Sequence, residues 1–147
     1  MVGRIYRAGT CLTYGKGILS DYPLLRVRLY NVLGMEFPEE IEVPVDTGFE
    51  GSLMLEAKDY KFFMTSELPR DYWRTYSTLA GPITMRVARA IAVIGDIKLE
   101  IYVETPYFGH GKRLLGREVI NKLILILDGL GKRCCTAQRS PNLKALR

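Results

Sequence analysis

The chain has 147 residues, 25% charged and 48% hydrophobic, the size and balance of one soluble globular domain able to bury a core. Its formal net charge of +5 sits at one end: residues 129–147 hold five of the twenty-one Lys+Arg and none of the sixteen Asp+Glu, so residues 1–128 are neutral. A nucleic-acid-binding domain carries its basic face on the folded body, so nucleic acid is not an expected partner, and 129–147 reads as a short basic tail behind a 1–128 domain.

From the start, Gly3, Gly9, Gly15 and Gly17 break residues 1–20 into short pieces, with one strand expected around Arg4–Ala8. Arg4 and Arg7 interrupt any signal-peptide core, which makes a cytoplasmic location the expectation. From Pro23 the pattern sharpens. Leu25, Val27 and Leu29 alternate with Arg26, Arg28 and Tyr30, a turn follows around Gly34, and Glu40–Asp46 returns as a strand with Ile41, Val43 and Val45 on one face. Arg26 and Arg28 then face Glu40 and Glu42 across an antiparallel pair, each contact contributing roughly 0.2–1 kcal/mol. Pro44 lacks an N–H, so this strand needs an unpaired side there.

The strand stops at Asp46-Thr47-Gly48. Gly51–Leu55 reads as a short strand leaving that point, and Glu56–Trp73 as a short helix and loop. Its aromatics (Tyr60, Phe62, Phe63, Tyr72, Trp73) suit core or lid packing more than a cleft lining. Tyr76–Arg86 reads as a hairpin with Leu79-Ala80-Gly81-Pro82 at its tip, and Val87–Ile94 with Ile97–Val103 as another around Gly95-Asp96. On the latter's second strand Ile97, Leu99, Ile101 and Val103 point one way, Lys98, Glu100, Tyr102 and Glu104 the other. Gly109-His110-Gly111-Lys112 lacks the length and the following Ser/Thr of a phosphate loop, and His110, the only histidine, reads as a loop residue. Arg113-Leu114-Leu115-Gly116-Arg117-Glu118 leads into two helical turns over Arg117–Leu123. The apolar run Leu123–Leu127 reads as a buried strand, far too short to span a bilayer, and no membrane partner is expected.

The cysteines, Cys11, Cys134 and Cys135, are odd in number and two are adjacent. That suits neither a disulfide framework nor a zinc site, so free thiols in a reducing compartment are expected, with no metal and no cofactor.

A carboxylate fixed at the end of a buried strand, followed by a small hydroxyl residue and a glycine, is where chemistry concentrates. Val45-Asp46-Thr47-Gly48 resembles the active-site motif of aspartic proteases. The later Leu114-Leu115-Gly116 ahead of a short helix is similar to the element that packs beneath the catalytic turn in that family. Order and spacing over Tyr22–Gly129 resemble the single-domain, retropepsin-like branch. The resemblance implies an all-β fold, a closed barrel of retropepsin-like type with one short helix near the C-terminus, and an aspartic endopeptidase activity. In the motif's roles Asp46 is catalytic, Thr47 and Gly48 complete the active-site turn, and Leu79, Ala80 and Gly81 form a flap over the substrate. Leu114 becomes a pocket wall, and Glu50, Gly116 and Arg117 support the site, Glu50 pairing with Arg117.

Hydrolysis with water needs one carboxylate as base and one carboxylic acid. This chain has a single Asp-Thr-Gly, so a twofold homodimer acting on a peptide or protein substrate is expected. Phe49 stands where small residues are usual in viral and pepsin-like members, although Phe-x-Gly resembles a group of prokaryotic relatives. Phe49 offers no hydroxyl to the dyad, which places the expected working range at mildly acidic to near-neutral pH. The flap tip has one glycine, and terminal strands that clamp such dimers are not identifiable. The alternative is a catalytically inactive retropepsin-like module for peptide binding or dimerisation, since a fold by itself does not establish activity.

Overall fold

A computed structural model describes residues 5–139. Ten strands dominate: β1 (Tyr6–Thr13), β2 (Leu24–Tyr30), β3 (Ile41–Pro44), β4 (Leu53–Met54), β5 (Arg74–Thr78), β6 (Gly81–Ile94), β7 (Ile97–Pro106), β8 (Leu114–Leu115), β9 (Leu125–Asp128) and β10 (Arg133–Arg139). Among the described residues helix is confined to α1 (Ala57–Tyr60), α2 (Arg117–Ile120) and two 3-10 segments, Lys61–Ser66 and Arg70–Tyr72. The chain is mostly β, as the alternation requires.

A seven-stranded sheet runs β3-β2-β6-β7-β4-β8, with β5 added alongside β6; a second sheet runs β1-β10-β9. Neither closes on itself, which corrects the closed-barrel expectation. The strands at the ends of the larger sheet are too short to form a ladder: β8 has two residues, and it meets the β3 end only through the parallel bridge between Val45 and Leu115. Pro44 contributes no donor to an outer neighbour, and β3 is an edge strand as its proline demands.

The alternation of β2 and β3 is realised directly. Leu25, Val27, Leu29, Ile41 and Val43 are all buried, and Arg26 lies opposite Glu42 in the ladder with Nη2–Oε1 at 3.3 Å. Arg28 reaches Glu36 at 3.1 Å and Glu40 at 4.0 Å. β6 is one continuous strand of 14 residues, which serves first as the partner of β5 and then of β7 and β2. The β6–β7 turn is Gly95-Asp96, with Gly95 at φ +59°, the left-handed geometry a two-residue hairpin needs.

The C-terminal part departs from the expected tail. β10 pairs with both β1 and β9, and Cys134, Cys135, Thr136 and Ala137 are buried, so the fold continues beyond residue 128. The rest of the expected tail, residues 140–147, lies outside the described residues. The N-terminal strand is Tyr6–Thr13, later and longer than the expected Arg4–Ala8. The expected free thiols are likewise corrected: the β1–β10 register sets Cys11 opposite Cys135, and the two form a disulfide. Alternation turns adjacent Cys134 to the other face, where it stays a buried free thiol. The helix after Gly116 is a single turn rather than two, and β9 is a half-exposed edge strand with Leu127 exposed, not a buried one.

Candidate active site at the Asp46 turn

Asp46 is fixed by backbone on both sides. Its N–H donates to the Leu115 carbonyl at 2.9 Å, which extends the Val45–Leu115 bridge by one bond, and the Phe49 N–H returns to the Asp46 carbonyl at 3.1 Å. The carboxylate Oδ1 accepts the Gly48 N–H at 2.9 Å, an Asx-type turn that leaves the strand direction abruptly. Among the described residues this is the only side-chain hydrogen bond the carboxylate makes. Asp46 is half-buried, and Thr47 and Gly48 are exposed. The turn therefore presents its acid at the surface on a rigid base.

Gly116 supplies that base. A Cβ there would sit 2.1 Å from the Gly51 carbonyl oxygen and 2.8 Å from Phe49 Cδ2, so no side chain fits. The segment above hangs on three amides: Gly116 N–H to Ser52 O (2.7 Å), Arg117 N–H to Phe49 O (2.8 Å) and Glu118 N–H to Gly51 O (3.1 Å). Gly48 is different. It is exposed rather than a buried glycine, and a Cβ would meet only the Asp46 Oδ1 at 3.1 Å.

Between this turn and the β5–β6 hairpin lies a cleft of about 360 Å³. Phe49, Met54, Ile83 and Met85 give it an apolar floor, and Gly48, Glu50, Thr75, Ser77, Thr78 and Arg117 give it polar edges. A larger hollow of about 630 Å³ lies on the outer face of β6–β7, at Arg89, Glu100 and Tyr102. It includes no part of the Asp46 turn, so the chemistry favours the smaller cleft.

No protein-family model matches the chain, and no curated protein does. Among solved structures, an EIAV protease complexed with the inhibitor HBY-793 is similar, with a TM-score of 0.46 and 14% identity over 74% of this chain and 93% of that one. A likeness at that level does not fix a shared activity.

The structure brings some of the expected site residues together and separates others. Asp46, Thr47, Gly48, Glu50, Gly116 and Arg117 gather around one turn, and Gly48, Glu50 and Arg117 reach the cleft. The hairpin forms, with Leu79-Ala80 as its two-residue tip, Gly81 at φ +105°, and the Thr78 hydroxyl bonded to the Ala80 N–H and the Gly81 carbonyl. Leu79, Ala80 and Gly81 stand outside the cleft lining; its hairpin wall is Thr75–Thr78 with Ile83 and Met85. Leu114 pairs with Met54 between β8 and β4, and Met54 takes the lining position. Glu50 and Arg117 form no ion pair. The acid beside α2 that finds an arginine is Glu118, whose carboxylate meets Arg74 Nη1 at 2.9 Å.

Sequence reasoning missed Glu104. The β7 alternation assigned it to the polar face, yet it is fully buried between Val103 and Thr105. Its Oε2 accepts the Ser52 N–H at 2.7 Å and lies 3.3 Å from Arg74 Nη1, and its Oε1 accepts the Tyr76 hydroxyl at 2.5 Å. Burial pushes the carboxyl's pKa up, against the pull of Ser52, Tyr76 and Arg74. The same surroundings push the Tyr76 phenol up, chiefly through desolvation and its bond to Glu104. One signal was readable in principle: Gly51, where a Cβ would lie 2.5 Å from Glu104 Oε2. A glycine just past the turn announces a close neighbour without naming it.

Proposed function

We propose that the chain is an aspartic endopeptidase whose catalytic pair is Asp46 from each of two identical subunits. The observation that carries this reading is the setting of Asp46. A carboxylate pinned through its own backbone to Leu115, held by one amide and half-exposed on a turn whose Gly48 lines the cleft, has the setting of a group for proton transfer rather than structural bonding. One chain supplies one such acid, and a second copy across a twofold axis supplies the other.

In the dimer one Asp46 carboxylate takes a proton from water while the other, protonated, donates to the scissile carbonyl oxygen. The acids share one proton because both cannot ionise at short separation. Water adds to the carbonyl carbon, and collapse of the tetrahedral adduct with proton transfer to the amine breaks the C–N bond. Thr47 holds the two turns together across the axis, and the Gly48 carbonyl receives an extended peptide. The hairpin tip at Leu79, Ala80 and Gly81 closes from above, and Leu114 backs the cleft through Met54. Glu50 and Arg117, at the rim and without an ion-pair partner among the described residues, meet charged or polar groups of the peptide, while Gly116 keeps the turn seated.

A peptide library incubated with wild type and with Asp46→Asn tests the reading. Discrete cleavage by wild type alone is expected. A binding module gives the opposite result: peptides retained by both proteins and hydrolysed by neither.

A further inference from the structure

The buried acid Glu104 has no part in the proposed chemistry, yet it touches two of the segments that shape the cleft. From the turn segment comes the Ser52 amide; from β5 come the Tyr76 hydroxyl and the Arg74 guanidinium. Arg74 also binds Glu118 of α2 through both nitrogens, at 2.9 and 3.2 Å, and lies over the Tyr102 ring at 4.9 Å. The Tyr76 ring packs edge-on against Phe49 at 5.5 Å. The ladder of β5 runs to β6 alone, so on its other side the strand is tied to the body by side chains. No residue with a Cβ fits at Gly51 without striking Glu104, Phe49 or Tyr76, so the network and the turn are built around one another.

We propose that Glu104 is a positioning residue: by gathering Tyr76, Arg74 and the Ser52 amide at one buried point, it sets the distance between the Thr75–Thr78 cleft wall and the Asp46 turn, and thereby peptide affinity. The peptide part rests on the endopeptidase reading; the tether itself does not. A carboxyl that meets three donors at one buried point suits a joint that must hold a strand end in register. Its loss leaves the chemistry at Asp46 in place and loosens the wall.

Tyr76→Phe removes one bond and keeps the ring and the buried carboxyl; Glu104→Gln removes the carboxyl and keeps an acceptor. Both are compared with wild type in peptide kinetics and in hydrogen exchange followed by mass spectrometry. KM is expected to rise about tenfold with kcat within about twofold, the split that marks lost binding rather than lost chemistry. Amides of residues 74–78 are expected to exchange about tenfold faster while those of β7 keep their rates. An unchanged KM in an active enzyme, or acceleration spread equally over all strands, overturns the proposal. If wild type cleaves no peptide, the endopeptidase reading fails separately and the exchange pattern alone decides the tether. Should Glu104→Gln not fold, Tyr76→Phe carries both measurements.

Discussion

Two carboxylates mark the ends of the Asp46–Ser52 segment, Asp46 in the segment itself and Glu104 against the Ser52 amide, and their surroundings are opposite. Asp46 is half-exposed and holds a single amide; Glu104 is fully buried and holds an amide, a phenol and a guanidinium. The same functional group keeps one partner near the surface at one place and is tied to three in the interior at the other. What separates them is the number of partners and the access of water, neither of which residue type reports.

That contrast is broken most sharply by exchanging the losses. Asp46→Asn is expected to lower peptide cleavage by about 10³-fold, within the span of general acid–base contributions. It is expected to shift unfolding free energy by no more than about 0.5 kcal/mol, as for a surface substitution. Glu104→Ala is expected to cost about 3 kcal/mol in urea denaturation, because Arg74 and the Ser52 amide lose a buried partner. Its pH dependence has a definite sign. The folded-state pKa of Glu104 is raised by burial, so the folded chain binds the proton more tightly than the unfolded chain does. Stability therefore declines as pH rises from the unfolded carboxylate value, about 4.3, through the folded one. Glu104→Gln is expected to remove that part of the slope in thermal melts across the range.

The smaller sheet gives the next effect. The Cys11–Cys135 bond joins positions 124 apart in sequence, so it constrains the unfolded chain strongly. Cys11→Ser is expected to cost about 2–4 kcal/mol of unfolding free energy by urea denaturation, and dithiothreitol to bring wild type toward the variant. Cys134 is a thiol of another kind. Burial pushes its pKa up to about 11, so it is expected to resist iodoacetamide until the protein is unfolded.

The smallest effect belongs to the exposed pairs on β2 and β3. Arg26 and Arg28 have side chains 49% and 42% exposed, so solvent screens their bonds to Glu36, Glu40 and Glu42. Arg26→Ala is expected to change stability by less than about 1 kcal/mol, and raised salt to erase part of even that. If it matched Glu104→Ala, burial would not be what distinguishes the two kinds of ion pair.

Much of the sheet was legible because alternation is a local signal. Leu25-Val27-Leu29 against Arg26-Arg28, the edge position of Pro44 and the Gly95-Asp96 turn all depend on a few neighbouring residues. The Asp46 turn was legible for the same reason, as a short polar stop at the end of an apolar strand. What escaped notice was long-range. The basic charges of 129–147 hid β10, whose buried face is set by β1 and β9 rather than by its own composition. The disulfide follows from that unseen pairing, since Cys11 and Cys135 meet only once the two strands are in register. Glu104 escaped because period-two alternation assumes a sheet with one wet face. At the end of β7 both faces are covered, on one side by the segment carrying Ser52 and the aromatic of β5. The Glu50–Arg117 pair is not formed, and the ion pair beside α2 is instead Arg74 of β5 with Glu118, a long-range contact that no local pattern announces.

The central claim, one catalytic acid per chain with two needed, is tested most directly by titrating wild-type protein with Asp46→Asn subunits at fixed wild-type concentration. Because a mixed dimer keeps one proper aspartate, activity is expected to fall in direct proportion to the wild-type fraction of subunits, and wild type alone to lose specific activity on dilution below its dimer dissociation constant. Activity that stays constant through the titration, or cleavage by Asp46→Asn on its own, would contradict it.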